Sequence, residues 1–188
     1  MSSSLILTTS LSWMLVAARG GFTDYALRHG AKKVIAVDKG TRQMASVLAL
    51  DPRVELHEKT DIRQFQLAEV VDLVLIDLSF VSLKEILPTL GDQLSPDSVI
   101  AAMVKPQFET DDSNILHKGI IKNEHMRRAV LLEFERWLKP RFFIQAKADS
   151  KLSVIQRHNR TVFVTVLRGY LGSQHSACLQ SRCKIHIT

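Results

Sequence analysis

The chain has 188 residues, of which 46% are hydrophobic and 23% are charged, and its formal net charge is +6. This composition is that of an ordinary globular protein with a full core, and it excludes wholesale disorder. Two cysteines do not form a disulfide framework, so we expect a reducing compartment.

Short β-branched runs alternate with amphipathic stretches along the chain, which predicts a parallel sheet with flanking helices. The predicted strands are residues 13–18, 34–37, 54–56, 71–76, 99–104, 142–146 and 161–167. The first predicted helix covers residues 22–29 and ends at Gly30. Three more follow the N-caps Thr41, Ser82 and Asn123 and run to about residues 50, 90 and 139. A long polar segment, residues 107–122, precedes the last helix, and all the elements belong to one domain.

Ligands of such a sheet bind at the carboxyl ends of its strands. The residues found there are Gly20-Gly21, Asp38, Asp61, Asp77 and Lys105. A glycine pair that opens a helix lets backbone amides approach a ligand closely. A lysine beside a carboxylate can have its pKa tuned for proton transfer. The strand ends therefore predict one crevice with a ligand-binding turn and an acid–base pair.

Each of these residues also has a structural explanation. Asp38 could accept hydrogen bonds from the ribose of an adenosine-containing cofactor, or it could be a surface or capping aspartate. Asp61 could meet an adenine amino group or form an Asx turn. Asp77 and Lys105 could be a structural ion pair at the rim of the sheet. A nicotinamide dinucleotide site is disfavoured because the G-x-G-x-x-G spacing is absent.

The two ends of the chain differ from its middle. Residues 141–188 carry eight of the 25 basic residues and a single acid, Asp149, which suits a polyanion such as RNA but also a solvated tail. We expect residues 171–188 to be poorly ordered. The tail contains zinc-type ligands in the order His175, Cys178, Cys183 and His186, but with little core around them we expect no metal site.

The N-terminus is apolar but has no Lys or Arg before Arg19, so the basic region of a signal peptide is missing. No apolar run reaches the ~18 residues of a membrane span. We therefore expect a cytoplasmic protein without a membrane partner.

Four motifs in order make the chain recognisable. The strings GGFTDYALRHGAKKVIAVDKG, DPRVELHEKTDIR, DLVLIDLSFVSLKEILP and MVKPQFE, followed by KGIIKNEHMRR, closely resemble the haemolysin A-like (TlyA) ribosomal RNA methyltransferases of the FtsJ-like group. The resemblance is strongest over residues 20–150 and implies one methyltransferase domain over residues 1–170. The implied fold is a three-layer, Rossmann-like α/β fold dependent on S-adenosylmethionine, with a mostly parallel seven-stranded sheet and an antiparallel last strand.

The resemblance also implies a reaction, namely methyl transfer from S-adenosylmethionine to a ribose 2′-hydroxyl of ribosomal RNA. Its residue-by-residue matches are Gly20, Gly21 and Phe22 in the cofactor loop, Asp38 at the ribose, Asp61 near the adenine, and Asp77 and Lys105 in a Lys-Asp-Lys-Glu catalytic set. Lys105 would deprotonate or polarise the hydroxyl. Asp77 would hold that lysine and orient the methyl donor.

The chain departs from the family at both ends. The family's first catalytic lysine has no match in residues 1–19, and WMLVAAR stands where the first motif normally carries an acid. Thr161 occupies the position of the catalytic glutamate, and threonine cannot ionise in its place. These departures predict an impaired enzyme or, as the alternative, a non-catalytic domain that binds the cofactor or RNA. The abrupt breaks also suggest reading-frame or gene-boundary artefacts.

Overall fold

A computed structural model describes residues 12–16, 20–117, 120–121, 123–149 and 162–167 of the chain. The strands are β1 (Ser12–Val16), β2 (Lys33–Val37), β3 (Val54–His57), β4 (Leu73–Ile76), β5 (Val99–Val104), β6 (Leu116–His117), β7 (Ile120–Ile121), β8 (Phe143–Asp149) and β9 (Val162–Leu167). The helices are α1 (Gly21–Arg28), α2 (Ser46–Ala49), α3 (Leu83–Gly91) and α4 (Glu124–Leu138).

The main sheet has the strand order β3-β2-β1-β4-β5-β9-β8. The five strands from β3 to β5 pair in parallel, whereas β9 is antiparallel to both of its neighbours. Val16 at the end of β1 lies level with Val37 of β2 and Ile76 of β4, and Ile76 lies level with Ala102 of β5. The loops after these strands therefore leave the sheet at one edge, where a ligand can reach several of them.

Helices pack on both faces of the sheet. Successive strand residues point to opposite sides, so each face presents its own apolar side chains to a helix. One face packs α3 and α4, through side chains such as Ile86 and Phe134, against strand residues such as Val74 and Ile100. The other packs Ala26 and Leu27 of α1 and part of α2 against the alternate strand residues. The near-continuous apolar sequence of β4 and β5 follows from this burial on two sides.

The helix ends follow their predicted signals in three cases. Gly30 after α1 has a φ of +83°, which suits a glycine beyond a helix C-terminus. Ser82 caps α3 by accepting a hydrogen bond from the Lys84 backbone N–H at 3.0 Å. Asn123 caps α4 by accepting from the backbone N–H groups of His125 and Met126. Each predicted strand also overlaps an observed strand.

The helix predicted after Thr41 is wrong. Only Ser46–Ala49 is helical, and Thr41 lies in the preceding loop. That loop is held open by neighbours: the Lys59 backbone N–H donates to the Gly40 carbonyl at 3.2 Å, and Arg42 has a φ of +54°. These tertiary contacts fix a non-helical backbone that the local capping signal did not anticipate.

Two other expectations concern the polar segment before α4 and the C-terminal tail. The polar segment over residues 107–122 is not featureless, since it contains short 3₁₀ turns and the β6–β7 ladder. The predicted tail, residues 171–188, and its four zinc-type side chains lie outside the described residues. Within the described part, no three His, Cys, Asp or Glu side chains cluster as a metal site would require, and no helix is long and apolar enough to cross a membrane.

Candidate active site

Lys105 and Asp77 meet at the carboxyl edge of the sheet. Asp77 directly follows β4 and Lys105 directly follows β5, and these strands are neighbours. The Lys105 Nζ lies 2.8 Å from the Asp77 Oδ1 and donates a hydrogen bond of 2.8 Å to the Ser79 Oγ. The Asp77 Oδ1 is buried and its contact with Nζ is close but lacks hydrogen-bond alignment, so this is a tight ion pair. The predicted pair is therefore present, and Ser79 is a third member that the sequence did not single out.

The glycine turn after β1 has the backbone geometry that a ligand loop needs. Gly20 is buried and has a φ of +86°, a backbone conformation that residues other than glycine rarely adopt. A Cβ on Gly20 would lie 3.3 Å from the Leu48 Cδ1. A Cβ on Gly21 would meet no described atom within 4 Å, so open space adjoins the first residue of α1. Phe22, predicted beside the cofactor, packs its half-buried ring against the apolar cluster around α1.

Asp38 turns the chain at the end of β2. Its Oδ1 accepts a hydrogen bond of 2.7 Å from the Gly40 backbone N–H. A Cβ on Gly40 would lie only 3.2 Å from that oxygen, so the tight turn explains the glycine. The Asp38 backbone also bonds to both sides of the loop after β3, donating to His57 and accepting from Thr60. Asp38 thus caps no described helix, and its carboxylate instead closes the turn after β2 at the predicted edge.

Asp61 makes the Asx turn that was the alternative to adenine binding. Its Oδ1 accepts from the Arg63 backbone N–H at 3.0 Å, and the Arg63 guanidinium grips both carboxylate oxygens at 3.0 and 2.6 Å. Lys39 Nζ lies 3.6 Å away. The Arg63 guanidinium in particular holds the pKa of Asp61 well below its usual range, so the carboxylate stays charged.

A pocket of about 370 Å³ lies between the turn at Asp61 and the loop that carries Ser79. Its wall includes Val37, Asp61, Ile62, Leu78, Ser79 and Phe80. Apolar side chains form part of the wall, and the charged side chains of Lys39, Asp61, Arg63 and Glu85 line it as well, together with the Ser79 hydroxyl that contacts Lys105. A ligand with both apolar and polar faces suits such a cavity.

Phe80 is the most unusual residue at the pocket mouth. Its ring is 90% exposed, and its backbone has a φ of +69°, which is a strained conformation for a bulky residue. The ring is tilted against Phe108, with 5.3 Å between the two centroids. An aromatic side chain held outside the core near the Lys105–Asp77 ion pair offers a stacking surface. The sequence signal that could have found it is its place in IDLSF, directly after Ser79.

A buried carboxylate joins the loops that carry the site. Glu109, which follows Lys105 by one 3₁₀ turn, is 5% exposed. It accepts hydrogen bonds from the Ser82 hydroxyl at 2.6 Å and from the Leu83 backbone N–H at 2.9 Å, both at the start of α3. Burial raises the pKa of Glu109, and these hydrogen bonds partly offset that effect.

The comparisons with known proteins agree with this geometry. The FtsJ-like methyltransferase family matches residues 12–167 of the sequence, a span that runs from β1 to β9. The chain belongs to the FtsJ-like methyltransferase family. The methyl donor of such enzymes is S-adenosyl-L-methionine. The predicted FtsJ-like family, its cofactor and the Rossmann-like methyltransferase fold are thereby confirmed.

Individual relatives extend the comparison. The chain is 41% identical over 119 residues to YqxC of Bacillus subtilis strain 168, which covers 61% of this chain and 42% of YqxC. It is 39% identical over 123 residues to the 16S/23S rRNA (cytidine-2′-O)-methyltransferase TlyA of Mycobacterium tuberculosis, covering 64% of this chain and 46% of TlyA. The solved structure of a hemolysin-like protein from Streptococcus thermophilus superimposes with a TM-score of 0.79 at 28% identity, over 86% of this chain and 60% of that one. The chain thus spans less than half the length of both curated relatives.

Proposed function

We propose that this chain transfers the methyl group of S-adenosylmethionine to a ribose 2′-hydroxyl of ribosomal RNA. The observation that carries the proposal is the contact of Lys105 with Asp77 and Ser79 at the edge of a pocket that Asp61 and Ser79 line. The methyltransferase domain is taken to extend over residues 1–170, and the matching span of 12–167 supports this assignment.

The residues present fit the cofactor. Gly20 supplies a left-handed turn, and the space beside Gly21 leaves room for a ligand close to the backbone amides of α1. Asp38 would hold the ribose hydroxyls and Asp61 the adenine amino group, each keeping the turn that it already makes. Carboxylate oxygens have several lone pairs, so one oxygen can accept from the protein and from a ligand together.

Lys105 and Asp77 account for the chemistry on the protein side. When bound, the cofactor would supply a methyl group on a sulfonium, with S-adenosylhomocysteine as the leaving group. Lys105 is paired with Asp77 as an ammonium, so it would first have to release a proton to solvent. The neutral amine would then polarise the 2′-hydroxyl and take up its proton as the oxygen–methyl bond forms and the sulfur–methyl bond breaks. Asp77, 2.8 Å away, stabilises the resulting ammonium, and Ser79 fixes its direction. Most of the acceleration would come from alignment of donor and acceptor.

The exposed ring of Phe80 supports RNA as the substrate. Nucleobases stack on aromatic side chains with a free energy of about 1–3 kcal/mol per base. Phe80 stands beside the pocket and adjacent to Ser79, so a nucleotide stacked there would bring its ribose towards Lys105. TlyA, the relative with 39% identity, is named for 2′-O-methylation of cytidine in 16S and 23S rRNA.

The alternative is a domain that binds the cofactor or RNA without catalysis. Its specific support is the sequence at Thr161, where the resemblance places a catalytic glutamate, together with the unmatched first lysine. Thr161 lies outside the described residues.

A methyl-transfer assay on ribosomal subunits with tritiated S-adenosylmethionine tests the proposal. Lys105→Ala should reduce incorporation by at least about 100-fold, the scale of a lost acid–base group. Lys139→Ala is the matched control: this lysine is exposed and pairs with Glu135 at the end of α4, so its loss should leave incorporation unchanged.

Calorimetric titration with S-adenosylhomocysteine separates the remaining outcomes. Binding together with Lys105-dependent methylation supports the proposal. Binding without methylation by the parent chain replaces the enzyme with the non-catalytic domain. Equal methylation by the parent and by Lys105→Ala removes Lys105 from the mechanism.

A further inference from the structure

Glu109 occupies a position that the proposed chemistry does not use. Among the described residues it is a buried carboxylate with its acceptor atoms directed at the N-terminus of α3. The first N–H groups of a helix have no partner within the helix, and a carboxylate there is favoured by the helix dipole as well. Ser82 caps the same end, so its hydroxyl bonds both to the Lys84 backbone N–H and to Glu109.

The connection matters because of where its two ends lie in the chain. Asp77 and Ser79 lie in the loop that leads from β4 into α3. Lys105 and Glu109 flank the 3₁₀ turn after β5, which is closed by hydrogen bonds from the Phe108 N–H to the Lys105 carbonyl and from the Glu109 N–H to the Pro106 carbonyl.

The two loops are therefore joined twice. Lys105 joins them near the strands, through Asp77 and Ser79, and Glu109 joins them farther out, through the start of α3. A flexible lysine side chain alone constrains its own backbone weakly, because four rotatable bonds separate the amine from the chain. The outer connection through Glu109 fixes the backbones of both loops relative to each other, so the lysine side chain starts from a fixed position.

We propose that Glu109 is a positioning residue: its carboxylate, bound to Ser82 and Leu83, clamps the Lys105 turn against the Asp77–Ser79 loop and so sets the placement of the Lys105 amine. This inference rests on the proposed function only in giving that amine a role in methyl transfer. The placement itself is measurable without cofactor or RNA.

The test compares the reactivity of the Lys105 amine in the full chain. Trace acetylation with acetic anhydride, read by mass spectrometry, reports the reactivity of each lysine amine, and an amine held by Asp77 and Ser79 should react slowly. Exposed Lys139 is the internal reference. Glu109→Ala should raise Lys105 acetylation about tenfold, the scale of one lost hydrogen bond to a charged group. Glu109→Gln keeps an acceptor for the Leu83 N–H and should show a smaller rise.

Ser98→Ala is the matched control. Ser98 is 1% exposed and donates to the Val71 carbonyl at 2.7 Å, a buried polar contact at the opposite edge of the sheet. Its loss should lower thermal stability while leaving Lys105 acetylation unchanged. This contrast separates positioning from a general loss of stability.

The clamp is supported if Lys105 acetylation increases from the parent to Glu109→Gln and again to Glu109→Ala, while Ser98→Ala stays at the parent level. Parent-level acetylation in folded Glu109→Ala overturns it, and so does a rise in Ser98→Ala of the same size. If Glu109→Ala does not fold, parent-level acetylation in Glu109→Gln overturns the clamp. Where the parent methylates RNA, Glu109→Gln should lower kcat without changing the KM for S-adenosylmethionine. Failure of methylation alone bears on the proposed function, not on the clamp.

Discussion

Replacement of the two adjacent glycines by alanine should change stability in opposite directions. Gly20 has a φ of +86°, and a left-handed conformation costs an L-residue about 1–2 kcal/mol. The new Cβ would also lie 3.3 Å from the Leu48 Cδ1, a contact that the leucine must relieve by moving. Gly21 is helical and its new Cβ would meet no described atom within 4 Å, so Gly21→Ala gains up to about 1 kcal/mol of helix propensity.

The two variants should thus differ by about 2 kcal/mol in their free energy of unfolding. For a chain of this size, 1 kcal/mol corresponds to a shift of about 2–4 °C in the melting temperature. Scanning calorimetry should find Gly20→Ala melting below the parent and Gly21→Ala at or above it. Titration with S-adenosylhomocysteine should show weaker binding to both variants. In Gly21→Ala the new methyl group fills the space that we assign to the ligand, and in Gly20→Ala the strained turn shifts the loop. Equal melting of the two variants would refute the turn geometry, and full affinity in Gly21→Ala would refute the assigned space.

Three further predictions concern charge and strain. Arg63→Ala should raise the pKa of Asp61 towards its ordinary value, because the guanidinium is the main cause of the depression; a carboxyl-carbon NMR titration would measure this, and an unchanged pKa would contradict it. Phe80→Gly should raise stability by about 1 kcal/mol by relieving the positive φ of a residue that buries little, yet weaken RNA binding in a filter assay. The pKa values of Glu55 and Glu135 are also lowered by their lysine partners, so their contribution to stability is present above their unfolded pKa and is lost as the pH falls through the folded values. Urea midpoints should accordingly decrease below about pH 4.5, and constant midpoints down to pH 3 would contradict this.

Much of the architecture was predictable because local sequence and burial agreed. The apolar runs of β4 and β5 are those of strands buried on both faces, and a charged residue directly follows each strand. Ser82 and Asn123 were recognisable as caps because a hydroxyl or amide immediately precedes each amphipathic helix. The same rule failed at Thr41, where the loop after β2 is held by a backbone contact from the loop after β3 that no local pattern reveals.

In the candidate site, too, some features were predictable from the sequence and others were not. Strand ends at one sheet edge predicted that Asp77 and Lys105 would lie close together, because neighbouring parallel strands leave the sheet side by side. The grip of Arg63 on Asp61 was not predictable, since an arginine side chain can adopt many conformations and only the fold around it selects one. The strained backbone of Phe80 also has no sequence signal of its own.

The order of apolar runs, caps and charged strand ends was by itself sufficient to predict the α/β fold class and which residues lie at the carboxyl edge of the sheet. These are properties of short segments, and short segments are governed by periodicity and capping. Only the tertiary structure decided which partners those residues take, namely Ser79 for Lys105, Arg63 for Asp61 and the start of α3 for Glu109. The pairings of Lys105 and Glu109 join loops that are distant in sequence, because a buried charged group requires a partner that the packed fold brings to it. Arg63 is only two residues from Asp61, and there the fold selects the side-chain conformation.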